Sequence, residues 1–193
     1  MLSENRFAFK EWASVCAALA AGRQCLILRK GGLHEPRGGF RVEQDEFWLF
    51  PTHFHQQPEA LIDGARVFHE QAQRECPAAG TIALQLYAVV EHSHEINDAA
   101  LLSRLTGLHI WSERTVHDRF HYRRPGLCAL VVRVYRRPAP YVLPDSPHFA
   151  GCRSWVDLPT ELSTEGLQPV LATSEQNEMT ARIARALTPS AWV

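Results

Sequence analysis

Cationic, imidazole and carboxylate side chains are concentrated in residues 26–56 of the sequence. An apolar segment there leads directly into two cations. After a loop bracketed by glycine pairs, a second apolar segment ends in His53-Phe54-His55. Side chains that follow neighbouring strands often form binding sites. We therefore predict that this stretch binds phosphate groups, and the residues expected to contact them are Arg29, Lys30, His34, Arg41 and His55.

A second group of cations lies in residues 113–137, where seven arginines accompany two carboxylates in a chain of net charge −1. This separation of charge concentrates positive potential in one region. Aromatic residues interleave with the arginines, as stacking on nucleic-acid bases requires, although a solvated helix face and strand edge would have the same composition. The residues predicted to contact phosphates or bases, in this region and after Gly151, are Arg119, Tyr122, Arg123, Arg124, Arg153 and Trp155.

Histidines spaced two residues apart indicate a different chemistry, because side chains at i and i+2 of an extended chain lie on one face. His53 and His55 have this spacing, and with Glu35 they could hold a divalent metal for a hydrolase or nuclease. The metalloprotease motif HExxH is absent, however, and the chain has only two lysines for a restriction-type nuclease site. We therefore predict binding without a cofactor and keep the metal-dependent enzyme as the alternative.

The composition is that of a globular protein, with 193 residues, 46% of them hydrophobic and 21% charged. The five cysteines show no CxxC spacing, so we predict reduced thiols, at least three of them buried. No segment reaches the roughly 18 apolar residues that span a bilayer. Acidic residues precede the first apolar segment, unlike in a signal peptide. We expect a cytoplasmic protein that does not bind membranes.

Hydrophobic periodicity changes between helical and strand spacing along the chain, without the glycine fingerprints of a regular βαβ fold. We predict a single α+β domain with about five helices and a mainly antiparallel sheet, either open or barrel-like. The first helix is expected to begin at Phe9, and four prolines are expected to make residues 138–147 an extended loop. A capping box at Thr173 predicts the last helix. Residues 1–158 would form the core, and residues 159–193 a connector and that helix, packed on the same domain.

Several phrases of the sequence resemble those of an uncharacterised bacterial family known as domain of unknown function 1802. They are FKEW, LILRKGGLHE, FWLFPTHFHQ, the Arg119-Phe120-x-Tyr122 segment and GCRSWVDLP, which together span residues 9–159. The family name implies no activity. The resemblance implies a loose tie to restriction systems, since related domains can occur beside a restriction-endonuclease-like domain, and this chain would be the stand-alone form.

The sequence therefore predicts a non-catalytic module that binds nucleic acid or a phosphorylated ligand. Two alternatives stay open: the metal-dependent hydrolase or nuclease, and a protein-interaction domain whose apolar PAPYVLP loop docks a partner. Three ligating groups within bonding distance of one point would favour the enzyme, whereas an arginine-lined groove with exposed aromatic rings would favour binding. The residues that we expect to line one concave surface are Arg29, Lys30, His34, His53 and His55.

Overall fold

The computed structural model describes residues 1–30, 40–54, 56–151 and 153–188. Strands within these residues are β1 (Glu4–Trp12), β2 (Leu26–Arg29), β3 (Glu46–Thr52), β4 (Thr81–Ile96), β5 (Leu127–Pro144), β6 (Trp155–Ser163) and β7 (Gln168–Pro169). The α-helices are α1 (Ala13–Ala20), α2 (Arg66–Arg74), α3 (Ala100–Arg104), α4 (Glu113–His121) and α5 (Thr173–Leu187).

The strands form one sheet in the order β2-β5-β4-β3-β1-β6, with β7 paired to β5. Every neighbouring pair is antiparallel except β1 and β3, which are parallel. The predicted α+β class, single domain and mainly antiparallel sheet are confirmed. The barrel-like alternative is wrong, because in the described ranges no backbone ladder joins β2 to β6 and the sheet stays open.

Side chains connect the two end strands of the sheet. Arg29 at the end of β2 donates from Nη2 to Oγ of Ser154, just before β6, over 2.8 Å. Phe40 stacks on Trp155 with ring centroids 6.2 Å apart, and both rings pack against Phe9 of β1. We call these five residues the seam. The seam brings the end of β2 beside β1 and β6, although β2 lies at the opposite end of the strand order.

Strand β1 occupies the position where the sequence predicts the beginning of the first helix. It pairs with β3 from Ala8 opposite Trp48 onward, and with β6 on its other side. Phe9 is completely buried, and the helix begins only at Ala13. The predicted start of the helix was wrong because pairing with two strands distant in sequence outweighs local propensity between Phe9 and Trp12.

Strand β5 runs through most of the proline-rich segment that the sequence predicts as a loop. Its last residues pair only with β4, as far as Pro144 opposite Thr81. The missing N–H groups of Pro138, Pro140 and Pro144 are tolerated there because one side of the strand carries no ladder. The predicted connector of residues 159–172 likewise contains the end of β6 and all of β7, so the boundary after residue 158 falls inside a strand.

The two best-defined helix starts differ in how well local sequence predicts them. Ser112, a residue type that favours this position, caps α4, with its Oγ accepting from the N–H of Thr115 at 3.2 Å. At α5 the carboxylate of Glu175 accepts from the N–H of Ala172 at 2.9 Å, one residue before the predicted cap at Thr173. None of the helices in the described ranges is long and apolar enough to cross a bilayer.

The described cysteines are free. Cys16, Cys25 and Cys128 are buried and Cys76 is exposed, which confirms the prediction of at least three buried thiols. Burial raises the pKa of Cys25 and of Cys128 to about 11, so both thiols stay protonated at neutral pH. Cys152 lies outside the described residues.

A buried polar network attaches α5 to the sheet. Glu91 of β4 accepts from Arg133 Nε of β5 and from Gln176 Nε2 of α5, each at 2.7 Å. Gln176 also donates to the carbonyl of Val132 at 3.2 Å and is 1% exposed. The amide therefore donates to the buried carbonyl of Val132 and to the half-buried carboxylate of Glu91, which also accepts from Thr180 at 3.3 Å.

Replacing Gln176 with alanine is expected to lower the free energy of unfolding by about 1–3 kcal/mol, because it removes the amide donor from the buried carbonyl of Val132 and from the half-buried carboxylate of Glu91. Urea denaturation measures this loss. The neighbouring Asn177 is exposed, and its replacement with alanine should change stability by less than about 0.5 kcal/mol. Equal effects of the two substitutions would contradict the anchoring role of Gln176.

Candidate functional site

A cavity of about 1300 Å³ opens where the ends of β1 and β3 meet α1, the start of β4 and residues 145–151 and 153–154. Two seam residues, Arg29 and Ser154, form part of its wall. The basic side chains that line it are Lys10, Arg29, Arg136 and Arg153, and the carboxylates are Glu11, Glu75 and Asp145. These charged groups come from segments far apart in the sequence and meet only in the folded chain.

A buried ion pair lies in the wall of the cavity. Glu11 at the end of β1 is 1% exposed, and its Oε2 lies 3.5 Å from Nη1 of Arg29. The other carboxylate oxygen accepts from the N–H of Trp12 at 2.7 Å. The Arg29 guanidinium also covers the rings of Phe9 and Phe40, at 4.8 and 5.9 Å from their centroids. Arg29 is therefore held in one orientation by a carboxylate, a hydroxyl and two aromatic faces.

Arg119 is half-buried against two tryptophan rings and does not lie on an outer basic surface. Its guanidinium stacks 3.7 Å from the ring centroid of Trp111 and 5.4 Å from that of Trp12. Burial lowers the pKa of Arg119 to about 10, while the Glu11 carboxylate raises it and the charge of Arg29 lowers it. One buried carboxylate therefore interacts with two arginines from distant parts of the sequence.

His53 and Phe54 follow β3 and line the same cavity. Burial lowers the pKa of His53, which keeps the imidazole neutral at neutral pH. Phe54 has 80% of its surface exposed, an unusual position for a large apolar side chain. Of the five residues expected on one concave surface, Arg29 and His53 meet in this cavity, while His34 and His55 lie outside the described residues.

The Lys30 side chain donates hydrogen bonds to backbone carbonyls of the same chain. Its Nζ donates to the carbonyls of Phe120 and Gly126, at 3.0 and 2.7 Å, and to that of Arg124. Burial lowers the pKa of Lys30. Lys30 thereby ties residues 122–126, which we call the basic turn, to the end of β2.

The basic turn exposes the other predicted contacts of this region. Arg123 has a left-handed backbone with φ of 60°, and its guanidinium lies 5.1 Å from the ring centroid of Tyr122, which is half exposed. Arg124 is exposed as well. Other arginines of residues 113–137 point elsewhere: Arg133 pairs with Glu91, and Arg137 donates to Tyr141 and Ser163. The region is therefore divided among several surfaces.

The remaining predicted residues are Arg153, Trp155 and Arg41. Arg153 is exposed and lines the cavity. Trp155 is part of the seam, with its Nε1 donating to the carbonyl of Arg41 at 3.1 Å. Arg41 itself is exposed.

The metal alternative depends on residues that are only partly described. His55 and Glu35 lie outside the described residues, and within those residues no three His, Cys, Asp or Glu side chains are grouped to hold a metal ion. Two exposed histidines lie one helical turn apart on α4, His117 and His121. Their ring centroids are 4.2 Å apart and the ring planes are tilted by 40°.

The cavity residues that sequence reasoning missed include Lys10, Glu11, Phe54, Arg136 and Ser154. Lys10 and Glu11 were assigned to a helix face, so their position at the end of a strand was hidden. Arg136 belongs to the arginine-rich segment but has no distinguishing local pattern. For Glu11, the signal available was a carboxylate between Phe9 and Trp12, because a charge within an apolar run is normally buried with a partner.

The family model described as Domain of unknown function (DUF1802) matches residues 8–182 of the chain. The chain belongs to this family. The match contains all four cavity cations of this DUF1802 domain. No curated protein matches the chain.

Solved structures of ASCH from Zymomonas mobilis are similar to the DUF1802 domain at low sequence identity. The ASCH crystal structure has a TM-score of 0.41 at 14% identity, covering 91% of this chain and 93% of that chain. One of its mutants has a TM-score of 0.44 at 14% identity, covering 91% of this chain and 96% of that chain. A second mutant has a TM-score of 0.42 at 13% identity, covering 94% of this chain and 98% of that chain. These TM-scores lie below 0.5.

Proposed function

We propose that this DUF1802 domain is a non-catalytic binding module for a phosphorylated ligand, and that the ligand is a nucleic-acid strand held in the cavity. The observation that carries the proposal is the gathering of Lys10, Arg29, Arg136 and Arg153 around one concave surface. Guanidinium and ammonium groups are the side chains that recognise phosphate. Neutralising several phosphates in a row provides most of the affinity for a nucleic-acid backbone.

The size of the cavity favours a strand over a small molecule. Its volume of about 1300 Å³ exceeds the roughly 300–1000 Å³ of pockets for drug-sized ligands. The exposed ring of Phe54 on its wall offers a face for a base, and such stacking contributes about 1–3 kcal/mol per base without requiring a particular sequence.

The rigid position of Arg29 favours binding of a fixed phosphate. Its Nη1 pairs with Glu11 and its Nη2 donates to Ser154, and both partners are buried. An arginine that is already ordered loses less side-chain entropy when it binds a ligand. Arg136 and Arg153 are exposed and would contact neighbouring phosphates along the strand.

We expect binding to depend on salt and on the two exposed arginines of the cavity, Arg136 and Arg153. Labelled single-stranded RNA, single-stranded DNA and duplex DNA of about ten nucleotides are titrated by fluorescence anisotropy at several salt concentrations. Replacing Arg136 and Arg153 together with alanine should weaken binding for every sequence and reduce the salt slope by about one to two units. Arg182 and Arg185, exposed on α5, are the matched control pair and should leave the slope unchanged.

The basic turn extends the expected footprint, because Lys30 fixes it next to Arg29. Replacing Arg123 and Arg124 together with alanine should also weaken binding uniformly and flatten the salt slope by about one to two units. An unchanged slope for this pair would confine the footprint to the cavity. A wild-type protein that ignores all three nucleic acids at low salt would refute the proposed function.

A further inference from the structure

Two imidazole rings lie next to each other on the solvent-exposed surface of α4. His117 and His121 are one helical turn apart, and the distance between their ring centroids is 4.2 Å. The residues of α4 that are buried in the core are Val116 and Phe120, whereas both histidines are exposed. A ligand from solution can therefore reach both rings without any rearrangement of the fold.

A hydrogen bond within the helix fixes the tautomer of His121. Its Nδ1 lies 3.0 Å from the backbone carbonyl of His117, and because a carbonyl only accepts, Nδ1 carries the proton and donates. In the neutral imidazole Nε2 is then unprotonated, and its lone pair is available to a metal ion. Metal-ligating histidines usually donate their other ring N–H to a carboxylate or a carbonyl, which orients the ring. His121 therefore has the arrangement of a histidine ligand.

The spacing of the pair is that of histidines which bind a metal ion together. Residues at i and i+4 of a helix lie on one face, one above the other, and the two histidines of the HExxH motif hold zinc with this spacing. Imidazole nitrogens suit zinc, copper and nickel, whereas magnesium and calcium prefer oxygen ligands. A carboxylate is also close, since Oδ1 of Asp118 lies 3.9 Å from Nδ1 of His117, although Asp118 also pairs with Arg114 at 3.7 Å.

We propose that His117 and His121 form a surface site for a divalent transition-metal ion such as Zn²⁺ or Ni²⁺, bound by Nε2 of His121 and one ring nitrogen of His117. Among the described residues no third His, Cys, Asp or Glu completes the site, so water or an oxygen of an anion fills the remaining positions. The basic turn follows His121 directly, and the bound ion adds to its positive charge. Neither histidine lines the cavity, so the site does not depend on the proposed function.

Isothermal titration calorimetry of the full chain with Zn²⁺ and with Ni²⁺ tests the site. We expect one ion to bind at α4, and an excess of magnesium should not displace it. His117→Ala and His121→Ala should each weaken binding about tenfold or more, because the second bond to the ion is then no longer intramolecular. His148→Ala removes an exposed histidine outside α4, and this matched control should leave the affinity unchanged.

Circular dichroism shows whether the three variants are folded, as we expect for changes at exposed positions. Wild-type protein that binds neither ion at millimolar concentration would overturn the inference. Wild-type affinity in His117→Ala or in His121→Ala would also overturn it, because the ion would then not need both rings. An equal loss of affinity in His148→Ala would place the ion elsewhere. None of these outcomes involves nucleic acid, so the proposed function is tested separately.

Discussion

Replacing Glu11 with alanine is expected to destabilise the protein by about 3–5 kcal/mol, because it leaves buried positive charge without its partner. Glu11 contacts Arg29 at 3.5 Å and raises the pKa of Arg119, while Arg29 lowers that pKa. Without the carboxylate the two guanidinium groups would repel each other in a site that water reaches poorly. Urea denaturation measures the loss.

A second substitution tests this explanation. Replacing Arg119 with methionine in the Glu11→Ala protein should recover part of the lost stability, because it removes one of the two unpaired cations and keeps an apolar stem against Trp111. Glu75→Ala serves as the control and should change stability by less than about 0.5 kcal/mol. A Glu11→Ala protein as stable as this control would contradict the role assigned to the buried carboxylate.

Stability is also expected to fall as the pH is lowered from 6.5 to 4, because His109 is buried in its neutral form. Burial lowers the pKa of His109 from 6.5 to about 4, and the charges of Arg23 and Arg119 act in the same direction. Its Nδ1 accepts from the N–H of Trp111 at 3.2 Å, which favours the neutral tautomer. In this pH range the unfolded chain binds a proton that the folded chain does not, so protonation favours unfolding by up to roughly 3 kcal/mol.

The contribution of His109 to the pH dependence of stability is separated from that of the carboxylates by comparing a His109 variant with the wild type. The difference in unfolding free energy between wild type and His109→Gln should change by roughly 2–3 kcal/mol between pH 7 and pH 4. A difference that is constant with pH would show that His109 binds a proton as readily in the folded protein as in the unfolded chain, and would contradict its burial in the neutral form.

Some parts of the fold depend on interactions between residues close in sequence, and these parts can be predicted from local sequence. The cap of α4 depends on Ser112 and on a backbone N–H three residues later, and the alternating pattern of β4 is present within the strand itself. The start of β1 could not be predicted in this way. Its residues are extended because they pair with β3 and with β6, whose Val156 lies opposite Ala8, and such distant pairing leaves no periodicity in a short window.

Three residues of the candidate site, Arg29, His53 and Arg153, were predicted from the sequence. Arg29 and His53 both follow apolar segments, and both line the cavity. The arginines of residues 113–137 look alike in sequence, yet Arg119 is half-buried against Trp111 while Arg124 is exposed. What separates them is the face of α4 or the turn on which each lies, and that depends on the tertiary packing of the helix.

The seam has a consequence for the two edges of the sheet. An open sheet has two edges whose N–H and C=O groups can pair with strands of other molecules, which a closed barrel prevents. Here the short edge strand β2 and the edge strand β6 are bridged by Arg29, Phe40, Ser154 and Trp155. Arg29 therefore has a structural role besides any ligand contact, and we expect its loss to leave the two edge strands prone to edge-to-edge aggregation.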